Sequence, residues 1–260
     1  MKCDVAITFN LAGESFWLGQ FPDSVNKPKT LSMGTYGLLR GLDRVVDALK
    51  QRNLPATFFV PAAIAENWPD SIRRLADSGF EIACGGCRGE NLATLPRDEQ
   101  KELLARSRKI LTNLCGSAPA GFRTFMGELT AETLTILAEL GFQYSSSLFG
   151  DDIPYRHSVA PLVEIPIKWQ LFDFPYFAFN YHPAFPTGQG RIAGYAHTLE
   201  NWKWEYDGAV RHGLSYIPQF DPQTIGTPGR IALMEELLDY TARGENSVYH
   251  TCRELAEGVS

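Results

Sequence analysis

The stretch ATFFVPAAIAENWPDSIRRLADSGFEIAC, residues 56–84, decides the fold. Its two ends, ATFFV (56–60) and FEIAC (80–84), are short apolar runs of strand-forming residues. Residues 69–78 between them have helical spacing, with Pro69 placed to start a helix and Gly79 to stop it. Strand, helix and strand in so short a span imply a parallel sheet covered by helices.

The same alternation extends both ways. CDVAITFN (3–10) reads as a buried strand, and 36–52 carries Leu38, Leu39, Leu42, Val45, Val46 and Leu49 at helical spacing. Downstream, 97–116 reads as a helix closed by Gly116, and 129–141 as a helix capped by Thr130 and stopped by Gly141. Strand-like runs occupy 120–125, 142–147, 162–167, 214–220 and 247–252, and a last helix covers 230–244. This count is close to that of a (β/α) barrel, a fold of roughly this chain length, whose active site lies at the C-terminal ends of the strands. The strand ends to inspect are Asn10–Glu14, Cys84–Glu90, Arg123–Glu128, Ser145–Asp152 and Gln219–Gln223. The segments 147–158 and 168–188 are rich in aromatics, Pro and Asp, and read as long loops over the mouth.

The 260 residues carry a formal net charge of −6 with no Lys/Arg run, which argues against nucleic acid as a partner. No run approaches ~18 apolar residues, and the N-terminus lacks a secretory pattern, so neither a membrane partner nor export is expected. The five scattered cysteines fit a reducing cytoplasm better than a disulfide framework.

Several long stretches together carry a resemblance: TFN (8–10), PATFFVPA (55–62), EIACGGCRGENLATL (81–95), residues 118–155, VEIPIKWQLFDFPYF (163–177) and PQTIGTPGR (222–230). The chain resembles the polysaccharide deacetylase (NodB-homology, carbohydrate esterase 4) family. It looks nearest to the branch of cyclic imide hydrolases, metal-independent allantoinases and some peptidoglycan deacetylases. The resemblance implies one domain over 1–260, a distorted (β/α)7 barrel with long loops over its mouth. It also implies a homo-oligomer, a tetramer in many members of the branch.

Metal-dependent members end one strand in T-F-D-x-D, giving a base and a metal ligand. A later strand end supplies H-x-x-x-H, and a late strand an acid histidine before proline. One carboxylate and two imidazoles leave a metal position open for water, whose pKa the metal lowers. In this chain Asn10 stands at the base position, Ala12 at the metal carboxylate, and Gly85 and Gly89 at the two imidazoles. Asp221 precedes Pro222 where the family has histidine. The implied metal site is lost, and no metal or other cofactor is expected.

The expected machinery is therefore Asp221 or Glu14 as base, with Asn10 and Arg123 as donors to a developing oxyanion. Substrate-binding candidates are Gly85, Gly86, Arg88, Gly89, Glu128, Asp173, Trp169 and Phe177. Replacing two imidazoles by glycines predicts an opened floor with free backbone N–H groups. The bland readings are an Asp-Pro turn at 221, ion pairs of Arg123 with Glu128 and of Arg88 with Glu90, and rim packing for the aromatics. His157, His182, His197 and His212 read as rim or surface residues.

The partner is a small molecule of amide, imide or cyclic ureide type, open to carbon–nitrogen hydrolysis or related cyclisation, elimination or isomerisation. One alternative is a pseudoenzyme that binds a small molecule or partner. The other is thiol chemistry at Cys84 and Cys87, although no helix obviously follows that pair and no second pair completes a zinc set.

Overall fold

The period-two alternation of the strands, apolar on both faces, needs helices outside and a packed lumen inside. The computed structural model describes residues 2–124, 127–188, 192–244 and 246–259. Phe125 and Met126, at the end of the 120–125 run, lie outside the described residues.

The N-terminal strand has two parts, β1 (Cys3–Val5) and β2 (Thr8–Asn10). Then follow β3 (Thr57–Val60), β4 (Glu81–Cys84), β5 (Gly121–Phe122), β6 (Tyr144–Ser145), β7 (Tyr155–Arg156) and β8 (Val163–Glu164). The last three are β9 (Ser215–Tyr216), β10 (Gln219–Phe220) and β11 (Ser247–Tyr249). The main sheet runs β10-β2-β3-β4-β5-β6-β8-β7, parallel except for the β7–β8 pair.

A parallel bridge from Phe172 to Gln219 brings the continuation of β8 onto β10 and closes the circle. The parallel positions are then β2, β3, β4, β5, β6, β8 and β10, which is the distorted (β/α)7 barrel. Pro218, which has no N–H, interrupts the last strand between β9 and β10, opposite the break between β1 and β2.

Local signals act as their residue types require. Pro69 opens the helix Pro69–Asp77, and Gly116 closes Arg97–Cys115 in the left-handed region at φ 74°. Thr130 caps Ala131–Glu139 by accepting the Thr133 N–H. Residues 195–212, unassigned from sequence, form an 18-residue helix, and the first loop holds helices Glu14–Gln20 and Pro28–Tyr36. The core is layered. Outward side chains such as Phe9, Phe58, Ile82, Cys84 and Phe122 pack under the helices, while Phe59, Ala83, Tyr144 and Ile165 fill the lumen. No described helix is long and apolar enough to cross a membrane.

Candidate active site at the barrel mouth

Alternation decides which strand-end residues face inward. Phe9 faces out and stacks on Phe58 with ring centroids 4.7 Å apart, so Thr8 and Asn10 point into the barrel. Phe220 faces out against Phe9 and Trp202, which turns Asp221 inward. Because Phe220 pairs with Phe9, Asn10 and Asp221 fall side by side in the next row. Phe122 likewise faces out and Arg123 in.

Arg123 is fully buried. Its Nε donates to Ser146 O at 2.8 Å and its Nη2 to Ser146 Oγ at 2.7 Å. Nη1 donates to Thr8 Oγ1 at 2.9 Å and to Asn10 Oδ1 at 3.2 Å. The guanidinium lies 3.9 Å from the centre of the Phe59 ring. Burial lowers it to about 10, so it stays charged at neutral pH. No carboxylate contacts it among the described residues; the expected pair with Glu128 does not form. Four of the five N–H groups of Arg123 are spent on protein acceptors and the side chain is fully buried, which leaves it one further N–H, on Nη2. Asn10 gives its Oδ1 to the arginine, and its Nδ2 is buried with no partner at all.

Asp221 caps the short helix Pro222–Ile225, as an Asp-Pro turn former would. Its Oδ1 accepts the Gln223 N–H and its Oδ2 the Gln223 side-chain amide, both at 3.0 Å, and the Ala12 N–H also faces it. Burial pushes its carboxyl up to about 7, against the pull of those donors. Asp173 supports it from behind. Its Oδ1 accepts the Asp221 N–H at 2.9 Å and its Oδ2 the Thr224 hydroxyl. Burial raises Asp173 well above the carboxylate range.

The glycine loop departs from expectation. Gly85 is buried, and a Cβ there would lie 3.0 Å from Pro61 N. The Gly85 N–H is spent on Val60 O, and the Cys87 and Arg88 N–H groups on the Glu90 carboxylate at 3.1 and 2.8 Å. The backbone of Gly89 packs on Gly19 of the first helix. Three of the five N–H groups over 85–89 are taken, two of them by Glu90, which folds back onto the loop, so the floor is narrower than expected. The expected Arg88–Glu90 contact is thus through the backbone.

These residues do not fit the metal of the resembled family. Ala12 offers no side-chain carboxylate, and Gly85 and Gly89 offer no imidazole. Among the described residues no three His, Cys, Asp or Glu side chains converge.

The remaining candidates scatter. Glu14 accepts from Thr35 at 2.7 Å through Oε1, keeps its Oε2 buried without a partner, and lines a cleft with Arg88 that shares no residue with the mouth cavity. Glu128 and Trp169 sit on the rim of a mouth cavity of about 280 Å³, together with Thr124, Ser147 and Gln219. Trp169, half exposed, stacks on Phe149 at 5.1 Å. Phe177 belongs to a different cavity, and Gly86 is buried under Glu90. His157 is not a rim residue: its ring meets the buried Glu164 at 2.9 Å. Cys84 faces the helix layer with its thiol pushed up to about 12 by burial, and Cys87 is raised for the same reason. Neither is poised as a thiolate.

Sequence reasoning did not single out Thr8 or Thr224, and it reached Ser146 and Gln223 only within the strand-end ranges 145–152 and 219–223. Thr8 shares the inward parity of Asn10, and Gln223 and Thr224 follow the Asp-Pro cap signal.

Comparison with known proteins bears on this geometry. The polysaccharide deacetylase family profile matches residues 36–145. A Mycobacterium smegmatis protein assigned to the polysaccharide deacetylases is 33% identical, with a TM-score of 0.94 over 99% of this chain and 90% of that one. A Helicobacter pylori peptidoglycan deacetylase is 24% identical over 97% of this chain and 94% of its own length. The PuuE allantoinase shares the fold, with 21% identity and a TM-score of 0.84 over 98% of this chain and 89% of that one. This barrel, with asparagine, alanine and two glycines at its strand ends, belongs to the polysaccharide deacetylase family.

Proposed function

We propose that this chain hydrolyses a carbon–nitrogen bond in a small amide, imide or cyclic ureide, without a metal, at the barrel mouth. The observation that carries the reading is the neighbouring pair of Asp221, at about 7, and Asn10, whose Nδ2 has no partner. A carboxylate near neutrality suits general base and then general acid work. An unpaired buried donor beside it suits a developing oxyanion. Arg123, behind Asn10, fixes that amide by claiming its Oδ1 and adds positive charge.

In the proposed step, Asp221 takes a proton from water as the oxygen bonds to the substrate carbonyl carbon. The carbonyl electron pair moves to the oxygen, which Asn10 Nδ2 meets. Collapse breaks the carbon–nitrogen bond, and the proton held by Asp221 passes to the leaving nitrogen. Trp169 and Phe149 offer a flat wall to a planar substrate. Glu14 lines a separate cleft, where Thr35 donates to its Oε1, and this favours Asp221 over it as the base. Association of several copies of the chain fits this reading and is set aside from the chemistry.

The pseudoenzyme reading draws on burial: Asp221 and Asn10 are nearly fully buried, neither lines the mouth cavity, and both Asp221 oxygens are taken. The two readings separate on the Asp221→Asn variant. A screen of cyclic amides, imides and ureides by thermal shift and product detection should find a substrate that wild type turns over. Asp221→Asn should bind that substrate within a few-fold and lose at least about a hundredfold in turnover. Binding without turnover by wild type favours the pseudoenzyme.

A further inference from the structure

A second cavity, of about 450 Å³, lies beside the mouth and shares no lining residue with it. Its walls come from the helices Glu14–Gln20, Pro28–Tyr36 and Phe174–Phe177, and include Trp17, Met33, Phe174 and Phe177. That volume lies within the range of small-molecule sites, about 300–1,000 Å³. Among the described residues, one charged group lines it: Arg230. No carboxylate of the described residues lies within ion-pair distance of that guanidinium. It is held over Phe177 at 4.7 Å from the ring centre, and its Nη1 is spent on Thr224 O at 3.3 Å.

The Nε is buried with no partner, and the Nη2 beside it has none among the described residues. With the Nε shielded and the Nη1 taken, the Nη2 is the donor open to the cavity, and a guanidinium N–H takes a carboxylate oxygen in a charge-assisted bond. One cation among apolar walls suits one negative charge on an apolar body. It does not suit a dianion, whose second charge would be left without a partner.

We infer that this cavity binds an amphipathic monocarboxylate, its carboxylate on Arg230 Nη2 and its apolar body among Trp17, Met33 and Phe174. The inference rests on the Arg230 geometry and is independent of the reaction proposed above. The site touches that reaction at one point: Gln223, on the cavity wall, accepts from Trp17 Nε1 at 3.0 Å and donates to Asp221. An occupant therefore lies next to the residue that orders the Asp221 carboxylate.

Calorimetry and thermal shift with phenylacetate and its neutral isostere phenylacetamide test the inference on the full chain. Phenylacetate should bind saturably and raise Tm, and the amide should bind at least about tenfold more weakly. Arg230→Gln should weaken phenylacetate by at least about tenfold and leave the amide unchanged. Met33→Trp, which fills the cavity, should remove phenylacetate binding while the ligand-free Tm stays near wild type. It also separates this cavity from the mouth, whose walls it does not touch. Equal affinity for acid and amide, phenylacetate binding that survives Met33→Trp, or no saturable binding of phenylacetate would each overturn the inference.

Discussion

At Asp221 burial and hydrogen bonding pull against each other. Burial raises its carboxyl to about 7, while the N–H groups of Gln223 and Ala12 favour the charged form. In the unfolded chain an aspartate titrates near about 3.9. The folded chain therefore binds more protons between about pH 4 and about pH 7, and stability falls as pH rises through that window and levels above it. Asp221→Asn removes this contribution. Thermal melts at pH 5 and pH 8 should show a smaller loss of Tm in the variant than in wild type, and an equal loss would assign the pH dependence elsewhere. Arg123 is the second residue with large consequences. Arg123→Lys keeps the charge but cannot reach Ser146 O, Ser146 Oγ, Thr8 and Asn10 together. Urea denaturation should give a loss of about 1–3 kcal/mol for buried groups left unpaired.

The short helix Pro222–Ile225 is the element that aims Asp221, and glycines let it seat. A Cβ on Gly37 would lie 2.8 Å from Gln223, and Gly41 approaches the Pro222 carbonyl more closely still. Gly41→Ala should cost about 1–3 kcal/mol by overpacking. It should also lower turnover more than substrate binding, since it displaces the Asp221 cap. Unchanged melting and turnover would mean the turn has room to spare. The elements the sequence makes legible are those with plain signals: strands at 56–60 and 80–84, and helices bounded by Pro69, Gly116, Thr130 and Gly141. The helix Tyr195–His212 was not legible because its buried stripe is Thr198, Leu199, Trp202, Tyr206 and Ala209, with hardly any aliphatic residues. At the site, strand ends and resemblance located Asn10, Arg123 and Asp221. They could not show that Glu90 would fold back on the glycine loop, or that Glu14 would turn to Thr35. Both outcomes depend on side-chain partners that arrive from elsewhere in the fold.

For the whole molecule, the question is what a polysaccharide deacetylase barrel does when its strand ends carry Ala12, Gly85 and Gly89 in place of the family's metal ligands. The lumen is packed by Phe59, Tyr144 and their neighbours, and the proposed chemistry lies above it, where Arg123 holds Asn10 and Asp221 falls in the neighbouring row. A second chamber lies alongside, with its own cation. The most direct test is the pH–rate profile of the screened substrate, measured in chelator on protein dialysed free of metal. Metal-free catalysis by Asp221 as base predicts a rate that chelator leaves unchanged and that rises with pH to a plateau, with an inflection near about 7. A rate abolished by chelator and restored by a divalent cation, or a profile with no inflection in that region, would contradict it.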